Sequence, residues 1–130
     1  MQIYGREVGF RFTVGASAKI SDLCPDGDIT RLGEVLEGSY GKVVRDTAAI
    51  IVAMSEGYAT ALEFETFGRA DIGGDWIPPR PLTVDEVLSL RESEFIQLQQ
   101  AALAAWTEDS KPTVEVEPEK KESGKAQASS

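Results

Sequence analysis

The stretch Tyr40-Gly41-Lys42-Val43-Val44-Arg45-Asp46-Thr47-Ala48-Ala49-Ile50-Ile51-Val52-Ala53-Met54 decides the fold. Its last seven residues, Ala48 to Met54, are apolar with no polar break. A helix that is apolar all round belongs in a core. The β-branched Ile50, Ile51 and Val52 would also suit a buried strand, but the preceding Tyr40–Thr47 pattern favours helix. A central helix is therefore expected over 39–54. Ser55 and Gly57 are expected to interrupt it, with helix resuming from Tyr58 to Phe67 on Ala61, Leu62 and Phe64.

Towards the N-terminus the pattern changes period. Ile3 and Tyr4 read as a short strand, and Gly5-Arg6-Glu7 as a turn. Val8, Phe10 and Phe12 then alternate with Gly9, Arg11 and Thr13, the period-2 pattern of a half-buried strand. Two strands alone are marginal in water, so this hairpin must pack on helices or pair with another edge. Ser17 is a candidate N-cap for a short helix over Ala18–Cys24, with Ile20 and Leu23 inward and Pro25 as the stop. Asp26-Gly27-Asp28 reads as a turn. Asp28 or Thr30 can cap a further helix with Ile29, Leu32, Val35 and Leu36 in one stripe, ended by Gly38.

Towards the C-terminus, Gly68 to Pro81 contains Gly73-Gly74, Pro78-Pro79 and Pro81, which regular structure does not tolerate. Trp76 and Ile77 within it are large apolar groups that need a docking place. Thr83-Val84-Asp85-Glu86 fits a capping box and starts a last helix running to about Thr107. At 100° per residue, Val84, Val87, Leu88, Phe95, Leu98, Ala102, Ala105 and Trp106 share one face. Ile96 and Leu103 lie together on a second. A helix with two apolar faces touches two neighbours, or one neighbour and a partner. The segment 108–130 is rich in Glu, Lys, Ser and Pro, with Val114 and Val116 isolated. It lacks the apolar content to offset its ordering entropy and is expected to be a disordered tail. The expected architecture is mainly α: an N-terminal β-hairpin, then a bundle of four to five helices over 1–107.

The chain has 130 residues, 13 basic and 22 acidic, with a net charge of −9. Nucleic-acid binding normally needs a basic face, and no Lys/Arg run exceeds Lys120-Lys121, so neither nucleic acid nor an anionic membrane surface is the expected partner. The single Cys24 makes no internal disulfide. The longest apolar run, seven residues, is far short of the ~20 needed to span a bilayer. These features predict a cytosolic protein.

Catalytic chemistry is thinly supplied. There is no histidine, the commonest general base and a frequent metal ligand. Cys24 reads better as a small apolar residue before a proline than as a nucleophile. Gly38-Ser39-Tyr40-Gly41-Lys42 lacks the spacing of a phosphate loop. Asp26-Gly27-Asp28 lacks the other ligands of a calcium loop. Glu63/Glu65 and Glu92/Glu94, two apart, do not share a helix face. No enzyme, cofactor or metal is expected, and protein binding is.

The opening Met1-Gln2-Ile3-Tyr4-Gly5-Arg6-Glu7-Val8-Gly9-Phe10-Arg11-Phe12-Thr13-Val14-Gly15, the short helix ending Leu23-Cys24-Pro25, the central helical hairpin, the long last helix and the charged tail together resemble the tail assembly chaperones of long-tailed bacteriophages and their prophages. The resemblance covers roughly residues 1–107 and rests on layout, not on signature chemistry. It implies a protein of the host cell cytoplasm, absent from the mature virion. Such a protein binds the apolar tape measure protein, keeps it soluble and helps recruit tail tube subunits. In many relatives a programmed ribosomal frameshift adds a C-terminal extension that contacts the tube protein. This chain looks like the unextended form, and Glu119-Lys120-Lys121 or Gly124-Lys125 permit a slippery heptamer. A structural neck or tail-completion subunit, or a small bacterial adaptor, are the alternatives. For protein contacts the residues singled out are Phe10, Trp76, Ile96 and Leu103. Self-association is expected along a long client, with the free hairpin edge as one route.

Overall fold

The computed structural model describes residues 1–66 and 79–111. They form a mainly helical domain with a short N-terminal antiparallel hairpin and five α-helices, as the sequence predicts. The hairpin is smaller and earlier than expected. Strands β1 (Gln2–Ile3) and β2 (Arg6–Glu7) pair Ile3 with Arg6 and Gln2 with Glu7. Tyr4 and Gly5 make the turn, with φ of 51° and 78°. Two-residue hairpin turns with both central residues at positive φ match the natural twist of the strands, and Gly5 supplies the second at little cost.

The expected second strand over Val8–Thr13 does not pair. Val8 is buried, but Gly9 to Thr13 are all half-buried, so the expected alternation of burial is not kept. The segment lies across the central helix, where the Arg11 N–H donates to the Met54 carbonyl at 3.1 Å. Helix packing replaces a ladder. With only two residues per strand, the hairpin offers no long edge for a second chain.

Helix α1 spans Val14–Ser21, earlier than expected, because Thr13 and not Ser17 caps it: its Oγ1 accepts from the Ala16 N–H at 3.1 Å. Ile20 is fully buried and Leu23 half-buried. Two 3-10 turns follow at Pro25–Gly27 and Ile29–Arg31, the second capped by Asp28, which accepts from the Thr30 N–H at 3.0 Å. Helix α2 is one turn, Leu32–Val35.

Helix α3 runs unbroken over 27 residues, Tyr40–Thr66. The expected interruption at Ser55 and Gly57 is absent because both residues serve long-range contacts. Ser55 is buried; its hydroxyl donates to the Val52 carbonyl at 2.8 Å and accepts from the Leu82 N–H at 3.0 Å. At Gly57 a Cβ would lie 2.6 Å from the Arg11 carbonyl oxygen. The bare glycine is what lets the N-terminal segment lie on the helix.

The last helix is divided in two. Helix α4 (Val84–Leu88) starts at the expected capping box: Thr83 Oγ1 accepts from the Glu86 N–H at 3.2 Å, and Glu86 accepts from the Thr83 N–H at 3.0 Å. Ser89 then ends the turn, its hydroxyl donating to the Asp85 carbonyl at 2.7 Å, and Arg91 is extended. Helix α5 (Glu92–Asp109) restarts with the Glu94 carboxylate accepting from the Arg91 N–H at 3.0 Å. The break leaves Val84 and Leu88 exposed, while Val87 and Leu98 are buried as expected. Helix α5 also ends two residues beyond the expected boundary. Glu108 and Asp109 sit against the helix dipole there. Glu108 pairs with Lys111 at 3.2 Å, and Asp109 takes the Phe12 N–H at 2.9 Å.

Two apolar clusters form the core. One joins the hairpin, α3, α4 and α5 through Ile3, Val8, Ile51, Leu82, Val87 and Leu98. The other centres on Ile20, Ala53 and Met54, under Phe12 and Trp106, whose rings stack at 4.1 Å between centroids. Both are built on α3. Among the described residues, no helix is long and apolar enough to cross a membrane.

Candidate docking groove

With α3 at the centre, α2 and α5 stand on either side of one open stretch of it. The result is a groove of about 350 Å³. Leu32 and Leu36 line one wall, Thr47, Ile50 and Ile51 the floor, and Gln99, Ala102, Leu103 and Trp106 the other wall. No lining residue carries a charge. Leu36 is 43% exposed and Leu103 64%. A groove between helices with leucines on both rims matches the recurring way in which proteins receive an apolar helical face.

A larger crevice of about 520 Å³ lies between α1 and α3. It is less suited to apolar docking, since the Lys19–Glu56 ion pair, at 2.7 Å, is part of its lining.

The charge around the groove is mostly satisfied within the chain. Arg31 bonds Asp26 at 3.0 Å and Glu34 at 2.7 Å. Lys42 bonds Asp46 at 2.8 Å and the Val35 carbonyl at 3.1 Å. Helix α5 itself carries Glu92, Glu94, Glu108 and Asp109 and no basic residue, and nothing charged from Phe95 to Thr107. Glu92, which accepts from the Tyr40 hydroxyl at 3.3 Å, opens a seam of alternating four- and three-residue steps: Glu92, Ile96, Gln99, Leu103, Trp106.

The expected contact residues divide. Leu103 lines the groove, and Ile96, 45% exposed, continues the same seam beyond it. Phe10 does not join them. It is half-buried and packs against both core clusters, so packing within the chain accounts for it. Trp76 lies outside the described residues. Sequence reading missed Leu36 as a surface group. It placed Leu36 inward with Leu32 and Val35, but a helix of one turn buries Val35 and leaves Leu36 out.

Cys24 and the acidic residues singled out in the sequence lie in local surroundings. Cys24 is buried, and burial with the nearby Asp28 raises its thiol above the ordinary value. Asp28 caps Thr30, Glu65 pairs with Arg11 and Glu94 caps α5. Among the described residues no three His, Cys, Asp or Glu side chains are grouped to hold a metal. No family model, no curated protein and no solved structure matches this chain.

Proposed function

We propose that this chain is a tail assembly chaperone of a long-tailed phage, in its unextended form, which holds the tape measure protein soluble and helps recruit tail tube subunits. The observation that carries the reading is the uncharged groove of α2, α3 and α5, with Leu36 and Leu103 on its rims. It belongs to a chain of net charge −9. Such a molecule covers an apolar helix on one side and presents charge to water on the others. The resemblance of the opening segment and helix order to that family adds the identity of the client. The chaperone acts in the host cytoplasm, in several copies along the client, and leaves before the virion is complete. A frameshifted longer form meets the tube protein. Cofactors, nucleic acid and membrane have no part in the proposal.

The test is co-expression with the tape measure protein of the same phage. The client should move from the pellet to the supernatant and co-purify with this chain. A client equally insoluble with and without it sinks the reading. Mass spectrometry of purified virions separates the runner-up, since a neck or completion subunit stays in the particle.

A further inference from the structure

We propose that a segment of this same chain, Thr113-Val114-Glu115-Val116-Glu117, turns back as an extended strap into the groove between α2, α3 and α5 and covers it until a client displaces it. The inference rests on the docking reading above and adds how that site is regulated.

Chain length permits the contact. The segment lies outside the described residues, which end at Lys111, close to the groove. Trp106 is part of the groove wall, and one turn further on the Ser110 N–H donates to the Trp106 carbonyl at 3.0 Å. From Ser110 back to Leu103 is seven helical steps, about 10 Å. The six residues that lead on from Ser110 to Val116 reach about 20 Å when extended, enough to turn and lie over both Trp106 and Leu103. Pro112 disfavours a helical continuation that would carry the chain away from the groove.

The residue pattern suits the lining. In an extended chain Val114 and Val116 share one side, and Glu115 and Glu117 share the other. The groove carries no charge, so it accepts the valines while the carboxylates stay in water. Such a segment is too poor in apolar residues to order alone and needs a surface already built.

Polar groups in the groove favour an extended occupant over a helical one. Thr47, on the floor, is 6% exposed. Among the described residues, neither its hydroxyl nor the indole N–H of Trp106 has a hydrogen-bond partner. A helix has already paired its backbone groups, whereas an extended segment brings carbonyls to such donors. The tether supplies an effective concentration on the order of millimolar, so a contact too weak to hold two separate molecules still fills the groove.

The test uses the full chain with a nitroxide attached through Glu117→Cys, alongside Cys24→Ala. Methyl resonances of Leu36 and Leu103 should broaden at least twofold relative to the reduced label. V114S/V116S and L103E should each abolish the broadening with unchanged far-UV circular dichroism spectra, and E115Q should leave it in place. A synthetic 18-residue leucine-striped helix should bind V114S/V116S at least threefold tighter than the parent chain. Absence of broadening, or broadening indifferent to the two valines, overturns the inference. Loss of broadening on E115Q overturns the assignment of faces, and equal binding of the striped helix overturns the competition. Broadening that vanishes when the labelled chain is diluted into excess unlabelled chain makes a second copy the occupant and also overturns it. If the strap behaves as described but the tape measure protein stays insoluble, the chaperone reading falls and the strap stands. If the client is solubilised without any broadening, the strap falls and the chaperone reading stands.

Discussion

The guanidinium of Arg6 forks onto the carboxylate of Glu86, with Nη2 2.8 Å from Oε1 and Nη1 3.1 Å from Oε2. The same guanidinium donates from Nε to the Arg80 carbonyl and from Nη2 to the Pro81 carbonyl. Glu86 in turn accepts from the Thr83 N–H. One ion pair thus ties the hairpin to the start of α4, across 80 residues of sequence. Both side chains are mostly covered, 18% and 25% exposed, so the pair is worth more than a free surface bridge.

The pair makes stability depend on acid. The Arg6 bond first, then the Thr83 N–H, hold the Glu86 carboxyl at about 2, against an ordinary 4.5. The unfolded chain therefore binds a proton at Glu86 that the folded chain does not. The resulting stabilisation is complete above about pH 4.5 and is lost as pH falls towards about 2. Glu86→Gln should cost about 1–2 kcal/mol at neutral pH. Denaturant titrations of both proteins from pH 7 to pH 2.5 should show the difference shrinking with acid. A constant difference would mean that the pair acts by shape and not by charge.

Ser55 gives the second prediction. Its hydroxyl is the acceptor for the buried Leu82 N–H, and Leu82 is itself 1% exposed. Ser55→Ala leaves that N–H without a partner and should destabilise by about 1–3 kcal/mol, although alanine is the better helix former. Urea unfolding measures it. A gain in stability would show that Leu82 finds another acceptor.

Gly57 and Gly33 should respond in opposite directions to alanine. At Gly33 a Cβ meets nothing within 4 Å, so Gly33→Ala should be neutral or stabilise by up to about 1 kcal/mol. At Gly57 the Cβ would sit 2.6 Å from the Arg11 carbonyl and 2.8 Å from Thr13 Oγ1. Gly57→Ala must push the N-terminal segment off α3, and should lower the melting temperature by several degrees. Similar melting temperatures for the two variants would contradict the close packing of segment and helix.

What was legible in the sequence follows from range. The Thr83–Glu86 capping box and the buried faces of Val87 and Leu98 depend on neighbours a few residues away, and both were read correctly. Ser55 and Gly57 look like helix breakers by the same local rules. Their partners, Leu82 and Arg11, are far along the chain, and no local pattern announces them. Tyr4 reads as strand in the sequence, and nothing local marks an aromatic residue for the positive φ it adopts. The strand expected at Val8–Thr13 rested on alternation of residue type, which does not report whether a partner strand exists, and the segment lies half-buried along its length on α3 instead. In the groove, helical spacing alone exposed Ile96 and Leu103, whereas Leu36 depended on α2 stopping after one turn.

That contrast yields the last prediction. Ile96→Glu and Leu103→Glu alter side chains that are 45% and 64% exposed and belong to neither core cluster. Each should change stability by no more than about 0.5 kcal/mol, while the double variant should lose most of its ability to keep the tape measure protein in the supernatant. Phe10→Ala and Leu98→Ala are the opposing controls. Leu98 is fully buried and Phe10 bridges both clusters, so each should cost about 2–5 kcal/mol. Any loss of client handling in these controls should track the unfolded fraction. Thermal melts and pelleting assays on the same five preparations separate the two kinds of defect. A Leu103→Glu protein that unfolds would show this leucine to be core, and the groove would then lose the residue that defines its rim.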